Sequence, residues 1–306
     1  MTDGRDRVAV GTTGVRLSRL GMGGGSLASA GDIAAVQQAA WDAGLRYFDT
    51  AALYAGGESE RQLGRFLAGK PRADCVASTK FGRVAVDGRD VFDYTAAATE
   101  RSIATSLERL GLDYLDVVFL HDLIPAFFGD AYEARFAEAM AGAIPVLQRL
   151  RAKGTIRAIG IALRDPTAAL RLLRAARFDA VMLAGECTLL HRGALAELLP
   201  HCAAEHIAVV VAAPFETGLL ATGAVPGARW QYKPAPPDIL ARVAAMEQAC
   251  AAHGVSLPAA AIQFPLRQPG VVGIVAGHQT VDQVATNLAL LETPVPEALW
   301  AALAAI

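Results

Sequence analysis

Short, almost entirely apolar runs alternate with longer amphipathic stretches, and this alternation repeats eight times along the chain. Apolar runs without polar alternation are typical of parallel strands that are buried on both faces. The predicted strands are residues 20–23, 45–49, 75–80, 115–121, 156–161, 180–183, 208–212 and 271–275. The pattern also predicts helices at residues 32–43, 99–110, 193–205, 238–253 and 281–291.

Eight strand–helix units favour a closed barrel over an open, doubly wound sheet. No GxGxxG motif follows an early strand, which weighs against a dinucleotide-binding open sheet. Residues 8–17, with a turn at 12–14, predict a small hairpin before the barrel. We therefore expect an α/β protein, a (β/α)8 TIM barrel with an N-terminal β-hairpin, as one domain over residues 1–306.

Composition narrows the class of protein. Apolar residues make up 53% of the chain, and 28 basic residues nearly balance 30 acidic ones, so no nucleic-acid or membrane partner is expected. No apolar run reaches the ~20 residues that cross a bilayer, and the N-terminus is polar. Cys75, Cys187, Cys202 and Cys250 are widely spaced, which indicates reduced thiols in a cytoplasmic protein without a metal site.

Titratable side chains follow three consecutive predicted strands. Asp49, Lys80 and His121 end the second, third and fourth strands, and Tyr54 comes five residues after Asp49. Barrel enzymes build their active sites at the C-terminal ends of the strands. Each residue alone also fits a cap or a structural role, but their joint placement predicts a catalytic group.

These four side chains suit proton transfer. A phenol has a pKa of about 10, which is too high for efficient acid–base catalysis near neutrality. We expect the Lys80 ammonium to lower the pKa of Tyr54, the acid/base, and Asp49 to anchor Lys80. His121 is expected to orient and polarise the reacting oxygen.

Around these residues the chain resembles the aldo-keto reductases, over residues 47–54, 57–60, 63–64, 78–82 and 106–121. The resemblance covers nearly the whole chain and implies an NAD(P)-dependent oxidoreductase with the four catalytic residues above. Residues 121–122, 213–220, 230–236 and 259–266 resemble the sugar 1-dehydrogenase branch, which acts on L-fucose, D-threo-aldoses or L-galactose, with pyridoxal 4-dehydrogenase nearby.

The nicotinamide end of the implied cofactor site departs from the family pattern. Many members bind the carboxamide with Ser-Asn or Gln, and these positions are Ala162, Leu163 and Ala184 here. Many members also stack an aromatic ring under the nicotinamide, in the region that Ala212 and Ala213 occupy here. Glu186 and Arg164 are candidate substitutes, the alternative being surface or cap roles. The other cofactor contacts that the resemblance implies are Gly23, Gly24, Pro214, Phe215, Thr217, Gly218, Leu219, Gly277, Gln279, Thr280, Gln283 and Asn287.

The adenosine end favours NAD, with NADP left open. A helix beginning near Val281 offers free N–H groups to phosphate. NADP-using relatives carry Lys or Arg at the position of Gln279 or Gln283, whereas no Lys or Arg follows Arg267 here. His278 is expected to be an exposed loop residue.

Residues 221–237 are expected to form a lid beside residues 83–94, with Trp230 and Tyr232 contacting substrate or packing their own loop. The remaining histidines, His191, His201, His206 and His253, show no metal-ligand spacing and are interpreted as surface or helix-end residues.

Three functions stay open at this point. The first is an NAD-dependent dehydrogenase that oxidises the anomeric hydroxyl of an aldose to a lactone. The second is an aldehyde or ketone reductase of the same family, and the third is a non-catalytic, nucleotide-binding redox sensor. The expected partner is a small sugar or carbonyl substrate; the sequence does not indicate which one, or the oligomeric state.

Overall fold

The computed structural model describes residues 2–25 and 31–306. The strands within these residues are β1 (Arg7–Ala9), β2 (Arg16–Ser18), β3 (Leu20–Gly23), β4 (Tyr47–Asp49), β5 (Val76–Phe81), β6 (Arg83–Val86), β7 (Arg89–Phe92), β8 (Leu115–His121), β9 (Ile156–Leu163), β10 (Ala180–Ala184), β11 (Ala208–Ala212), β12 (Arg229–Trp230), β13 (Lys233–Pro234) and β14 (Val271–Gly277). The helices are α1 (Ile33–Asp42), α2 (Glu58–Leu67), α3 (Ala96–Leu110), α4 (Pro125–Phe128), α5 (Tyr132–Glu138), α6 (Ile144–Ala152), α7 (Pro166–Ala175), α8 (Leu198–Ala204), α9 (Leu219–Thr222), α10 (Pro237–Ala252), α11 (Leu257–Gln263), α12 (Val281–Glu292) and α13 (Glu297–Ala304).

Eight parallel strands close into a barrel, which confirms the predicted (β/α)8 fold. Their order is β3, β4, β5, β8, β9, β10, β11 and β14, and β14 pairs back onto β3. Every predicted strand agrees with its observed counterpart to within two residues at each end. The agreement is close because every residue of β5 and β8 is buried, so the apolar runs mark the strands directly.

The predicted N-terminal hairpin is also confirmed and closes one end of the barrel. β1 pairs with β2 in antiparallel register. Val10, Val15 and Leu17 join the apolar cluster of the barrel interior, together with Phe119 and Met182. Gly11 lies against the carbonyls of Asp179 and His206, one and two residues before β10 and β11, so the hairpin covers the N-terminal ends of these strands.

Two helix predictions needed correction. α3 begins at Ala96 because the hydroxyl of Thr95 accepts a hydrogen bond from Ala98 N–H and caps the helix. The helix predicted at 193–205 is wrong as one element, since a 3₁₀ turn at Gly193–Leu195 precedes α8. Pro200 explains the break: it lacks an N–H and its ring would clash with the Ala196 carbonyl, so it fits only the first turn of a helix.

Further predictions concern the cysteines, membrane-spanning helices, metal sites, the number of domains and the cellular location. All four cysteines are buried and free, as expected for reduced thiols. No helix among the described residues is long and apolar enough to cross a membrane, and no three His, Cys, Asp or Glu side chains in this part of the chain are grouped to hold a metal. The single domain and the cytoplasmic location stay predictions.

Candidate active site

The barrel register brings the predicted strand-end residues to one edge. Gly277 lies opposite Gly23, Gly23 opposite Asp49, and Asp49 opposite Ser78. On β8, the strand next to β5, His121 lies opposite Ala162 of β9. Because parallel strands all end at the same face, the polar residues and glycines line one mouth of the barrel.

Asp49 and Lys80 form a buried ion pair at the centre of this mouth. Nζ of Lys80 lies 2.5 Å from Oδ2 of Asp49 and donates to the carbonyl of Thr50 at 2.8 Å. The Ser78 hydroxyl donates to the other carboxylate oxygen at 2.7 Å, so both oxygens of Asp49 are satisfied. Lys80 is 2% exposed. Burial alone would lower the pKa of Lys80, but Asp49 and Tyr54 outweigh it, so the pKa is raised and the amine stays charged.

Tyr54 stands over this ion pair in a 3₁₀ turn, Tyr54–Gly57. Lys80 Nζ lies 4.8 Å from the centroid of the phenol ring, and the His121 ring meets it edge-on at 6.2 Å. Burial raises the pKa of Tyr54, while Lys80 opposes the rise and Asp49 adds to it. The predicted lowering of the Tyr54 pKa is therefore wrong in direction, because desolvation of the phenolate exceeds its attraction to Lys80.

His121 is a neutral imidazole beside this phenol. Burial lowers the pKa of His121 well below its usual range, and the charges of Lys80, Arg83 and Arg164 lower it further. The hydroxyl of Tyr94 donates to the His121 carbonyl at 2.8 Å and fixes the end of β8. Nδ1 of His121 is buried and has no partner among the described residues. A neutral ring offers one N–H to a reacting oxygen without competing for its proton.

The glycine-lined edge of the mouth fits a dinucleotide. A Cβ on Gly24 would lie 2.6 Å from the Ser59 hydroxyl and 2.9 Å from the Asp49 carbonyl, so only glycine lets this loop approach Asp49 so closely. Across the mouth, Thr280 caps α12 by accepting from Gln283 N–H, and Gly277 and Gln279 are exposed beside that helix start. The Gln283 side chain accepts from Gln279 N–H at 2.7 Å. Asn287 is buried in the second turn of α12.

The loop after β11 completes this edge. Ala213, Glu216 and Thr217 all have left-handed backbone conformations, as does Gly218. The N–H groups of Glu216 and Gly218 donate within the loop, to the carbonyls of Ala213 and Phe215, so these conformations form a tight turn at the mouth. Pro214 and Leu219 are buried and Phe215 is half-buried, so these three predicted cofactor residues also contribute to packing.

Apolar side chains stand at the ends of β9 and β10, where the family pattern places polar carboxamide ligands. Ala162 and Leu163 are buried, and Ala184 is half-buried. Glu186, just beyond β10, is half-buried, and burial raises its pKa. Arg164 is exposed and contributes its charge to the same mouth. The cofactor roles of these residues stay predictions.

Two predictions about histidines are wrong. His278 is fully buried, and burial lowers its pKa to about 4 although the Ala276 backbone opposes the shift. His191 is half-buried and its Nδ1 lies 2.8 Å from Oε1 of Glu216, a contact that raises the His191 pKa. Burial of His278 and the pairing of His191 with a residue 25 positions away depend on tertiary contacts that local sequence does not reveal.

Sequence reasoning missed Glu216 itself. Its carboxylate is 3% exposed and accepts from the Thr188 hydroxyl at 2.5 Å as well as pairing with His191. The ring of Trp230 stacks on His191 at 5.4 Å, so this predicted substrate residue packs against a loop. Tyr232 is 71% exposed on the adjoining β12–β13 hairpin. Substrate contact by Trp230 and Tyr232 stays a prediction.

A closed parallel barrel with a phenol, a buried ammonium–carboxylate pair and a neutral imidazole at one mouth defines a class of enzyme that moves protons at a substrate oxygen. A model of the aldo/keto reductase family matches residues 17–306. The chain belongs to this family and is an NAD(P)-dependent oxidoreductase.

Similar proteins support this assignment. The D-threo-aldose 1-dehydrogenase of a Pseudomonas species is 39% identical over 291 residues, 88% of this chain and 86% of that protein. The pyridoxal 4-dehydrogenase of Microbacterium luteolum is 32% identical over 330 residues, 97% of this chain and 96% of that protein. A holo aldo-keto reductase structure from Bacillus halodurans superposes with a TM-score of 0.82 at 24% identity, covering 98% of this chain and 95% of that one. The resemblance to the sugar-dehydrogenase branch is thereby confirmed.

Proposed function

We propose that the protein oxidises the anomeric hydroxyl of a cyclic aldose to a lactone, with NAD as its cofactor. The observation that carries the chemistry is the buried Asp49–Lys80 pair beneath Tyr54, beside a neutral His121. The sugar substrate is supported by the similarity to D-threo-aldose 1-dehydrogenase.

Four residues have separate roles in removing the hydroxyl proton. His121 donates a hydrogen bond to the C1 oxygen and holds it near Tyr54. The Tyr54 oxygen takes the hydroxyl proton as the C1–H bond breaks, and the Lys80 ammonium stabilises the phenolate that reacts. Asp49 keeps Lys80 charged and in place. When bound, NAD(P) supplies the hydride-accepting chemistry.

The chain's own residues hold that cofactor in this proposal. Gly23, Gly24 and Gly277 leave room for a dinucleotide at the barrel edge. The loop from Pro214 to Leu219, together with Gln279, Thr280, Gln283 and Asn287, would hold it there. NAD is favoured over NADP because no cation follows Arg267 to pair with a 2′-phosphate.

Product analysis tests the proposal. The enzyme is incubated with NAD and with L-fucose, L-galactose, D-arabinose and related aldoses, and lactone is sought by mass spectrometry. Lactone from at least one aldose is expected. Failure with every aldose, together with good reduction of a simple aldehyde or ketone, rejects the proposed substrate class.

The second candidate is an aldehyde or ketone reductase of the same family. The raised pKa of Tyr54 favours it, because a protonated phenol is the acid that reduction requires. A non-catalytic redox sensor is the third candidate, and turnover of any carbonyl or sugar eliminates it.

A further inference from the structure

Asp122 is a buried carboxylate to which the roles above assign no function. It follows His121 directly and is 6% exposed. Its Oδ2 lies 3.6 Å from Nε2 of His121, too far for a hydrogen bond. Burial is the main cause of the raised Tyr54 pKa, and the Asp122 charge adds to it. Asp122 therefore borders the same mouth as the residues that handle the proton.

The backbone fixes the direction of this carboxylate. Asp122 has a φ of 53°, a left-handed conformation that a non-glycine residue keeps only where its surroundings enforce it. Its N–H donates to the Ala162 carbonyl at 2.9 Å, and its own carbonyl accepts from Ile124 N–H at 2.9 Å. The end of β8 is thus tied to β9 and to the loop beyond it.

Arg83, at the start of the β6–β7 hairpin, holds one oxygen of this carboxylate. Its guanidinium donates to Oδ2 of Asp122 and also to Asp90. It lies over the rings of Phe127 at 4.6 Å and Phe92 at 5.5 Å. Side-chain contacts on several sides make Arg83 a rigid support for Asp122.

The other oxygen, Oδ1, is left for a ligand. No residue in the part of the chain that the structure describes donates a hydrogen bond to Oδ1. Oδ1 keeps some contact with solvent, so a molecule that enters the mouth can replace water at this acceptor. A carboxylate accepts and does not donate, so the group that completes it carries an O–H or N–H.

We propose that Oδ1 of Asp122 accepts a hydrogen bond from a non-reacting hydroxyl of the substrate, and that Arg83 is the positioning residue that aims it. Since Asp122 adjoins His121, which orients the reacting oxygen, this hydroxyl lies near the reacting carbon. Asp122 thereby selects polyhydroxy substrates over plain aldehydes and ketones. The inference rests on the proposed function and extends it to the basis of substrate selection.

Two aldehydes that differ in their hydroxyl groups test the proposal. NADH-dependent reduction of glyceraldehyde and of propionaldehyde is measured for the wild type and for Asp122→Asn. Loss of a charge-assisted hydrogen bond is expected to lower kcat/KM for glyceraldehyde about tenfold to a hundredfold. Propionaldehyde, which cannot make the bond, is expected to change less than about threefold.

The loss should appear mainly in KM. A bond to a hydroxyl that does not react is made equally in the ground state and the transition state. A disturbed His121 would instead lower kcat for both aldehydes. Equal losses for both aldehydes, or no loss for either, would overturn the proposal.

Two further variants complete the design. Asp87→Asn makes the same charge change at the exposed turn of the same hairpin and should alter neither aldehyde's kinetics. Arg83→Gln keeps Asp122 but removes the guanidinium that holds it, so kcat/KM for glyceraldehyde should again fall more than kcat/KM for propionaldehyde. If Asp122→Asn fails to bind NADH or to fold, the Arg83→Gln comparison decides, and equal losses there reject the proposal.

An assay of aldose oxidation distinguishes failure of this inference from failure of the proposed function. If no aldose yields lactone but the preference for glyceraldehyde still depends on Asp122, the proposed function is rejected and the hydroxyl site is supported. Lactone formation that Asp122→Asn leaves unchanged supports the proposed function and rejects the hydroxyl site.

Discussion

Removing the Asp49 charge should destabilise the protein in a way that depends on pH. Lys80 is 2% exposed in the wild type, and in Asp49→Asn it should keep its 2.8 Å contact to the Thr50 carbonyl. Breaking a buried pair by removing one partner costs about 3–5 kcal/mol. Because asparagine keeps an acceptor oxygen and the Ser78 contact, we expect a loss of about 3 kcal/mol in the free energy of unfolding at pH 7.

The free energy of unfolding should depend on pH with opposite signs in the wild type and in Asp49→Asn. In the wild type the pKa of Lys80 is raised above 10.5, so the stability it contributes is complete below that pH and is lost as pH rises through the folded-state pKa. In Asp49→Asn, burial is no longer opposed by Asp49, so the pKa of Lys80 should fall below its unfolded value. The folded variant then binds fewer protons than the unfolded chain, and its stability deficit should shrink between pH 7 and pH 10.

Denaturant unfolding followed by tryptophan fluorescence at pH 7 and pH 9.5 measures both effects. The double variant Asp49→Asn/Lys80→Met removes both charges and should be less destabilised than the sum of the single variants by about 2 kcal/mol. None of the three variants should turn over substrate. Additive losses, or a deficit that grows with pH, would refute the reasoning.

Three other predictions concern activity. Tyr54→Phe should abolish turnover but leave NADH affinity, measured by fluorescence titration, nearly unchanged; substantial residual activity would remove Tyr54 from its role. Because burial raises the pKa of Tyr54 above 10.0, kcat/KM for oxidation should climb with pH up to at least about pH 10, and a plateau near pH 7 would contradict this. Steady-state kinetics with both cofactors should show a preference for NAD, and Gln279→Arg should shift the ratio toward NADP; a wild type that prefers NADP would show that a distant cation reaches the ribose.

Much of the fold was predictable because its signals are local. The strands of a barrel are buried on both faces, so each appears as a continuous apolar run whatever its neighbours are. Parallel strands share one C-terminal edge, and this topological fact alone brought Asp49, Lys80 and His121 together in the prediction. The absence of a cation after Arg267 is likewise a property of the sequence.

Other features depend on contacts between residues far apart in the chain. Glu216 and His191 are 25 residues apart, and Arg83 and Asp122 are 39 apart, so no local pattern could pair them. The direction of the Tyr54 pKa follows from the balance between burial and the charge of Lys80, and the extent of burial is a tertiary quantity. His278 is polar and lies in a loop, yet it is buried, because packing around the barrel edge determines its exposure. Sequence determined the barrel and the positions of its catalytic candidates, whereas desolvation and long-range pairing, which exist only in the folded chain, decided their protonation and their partners.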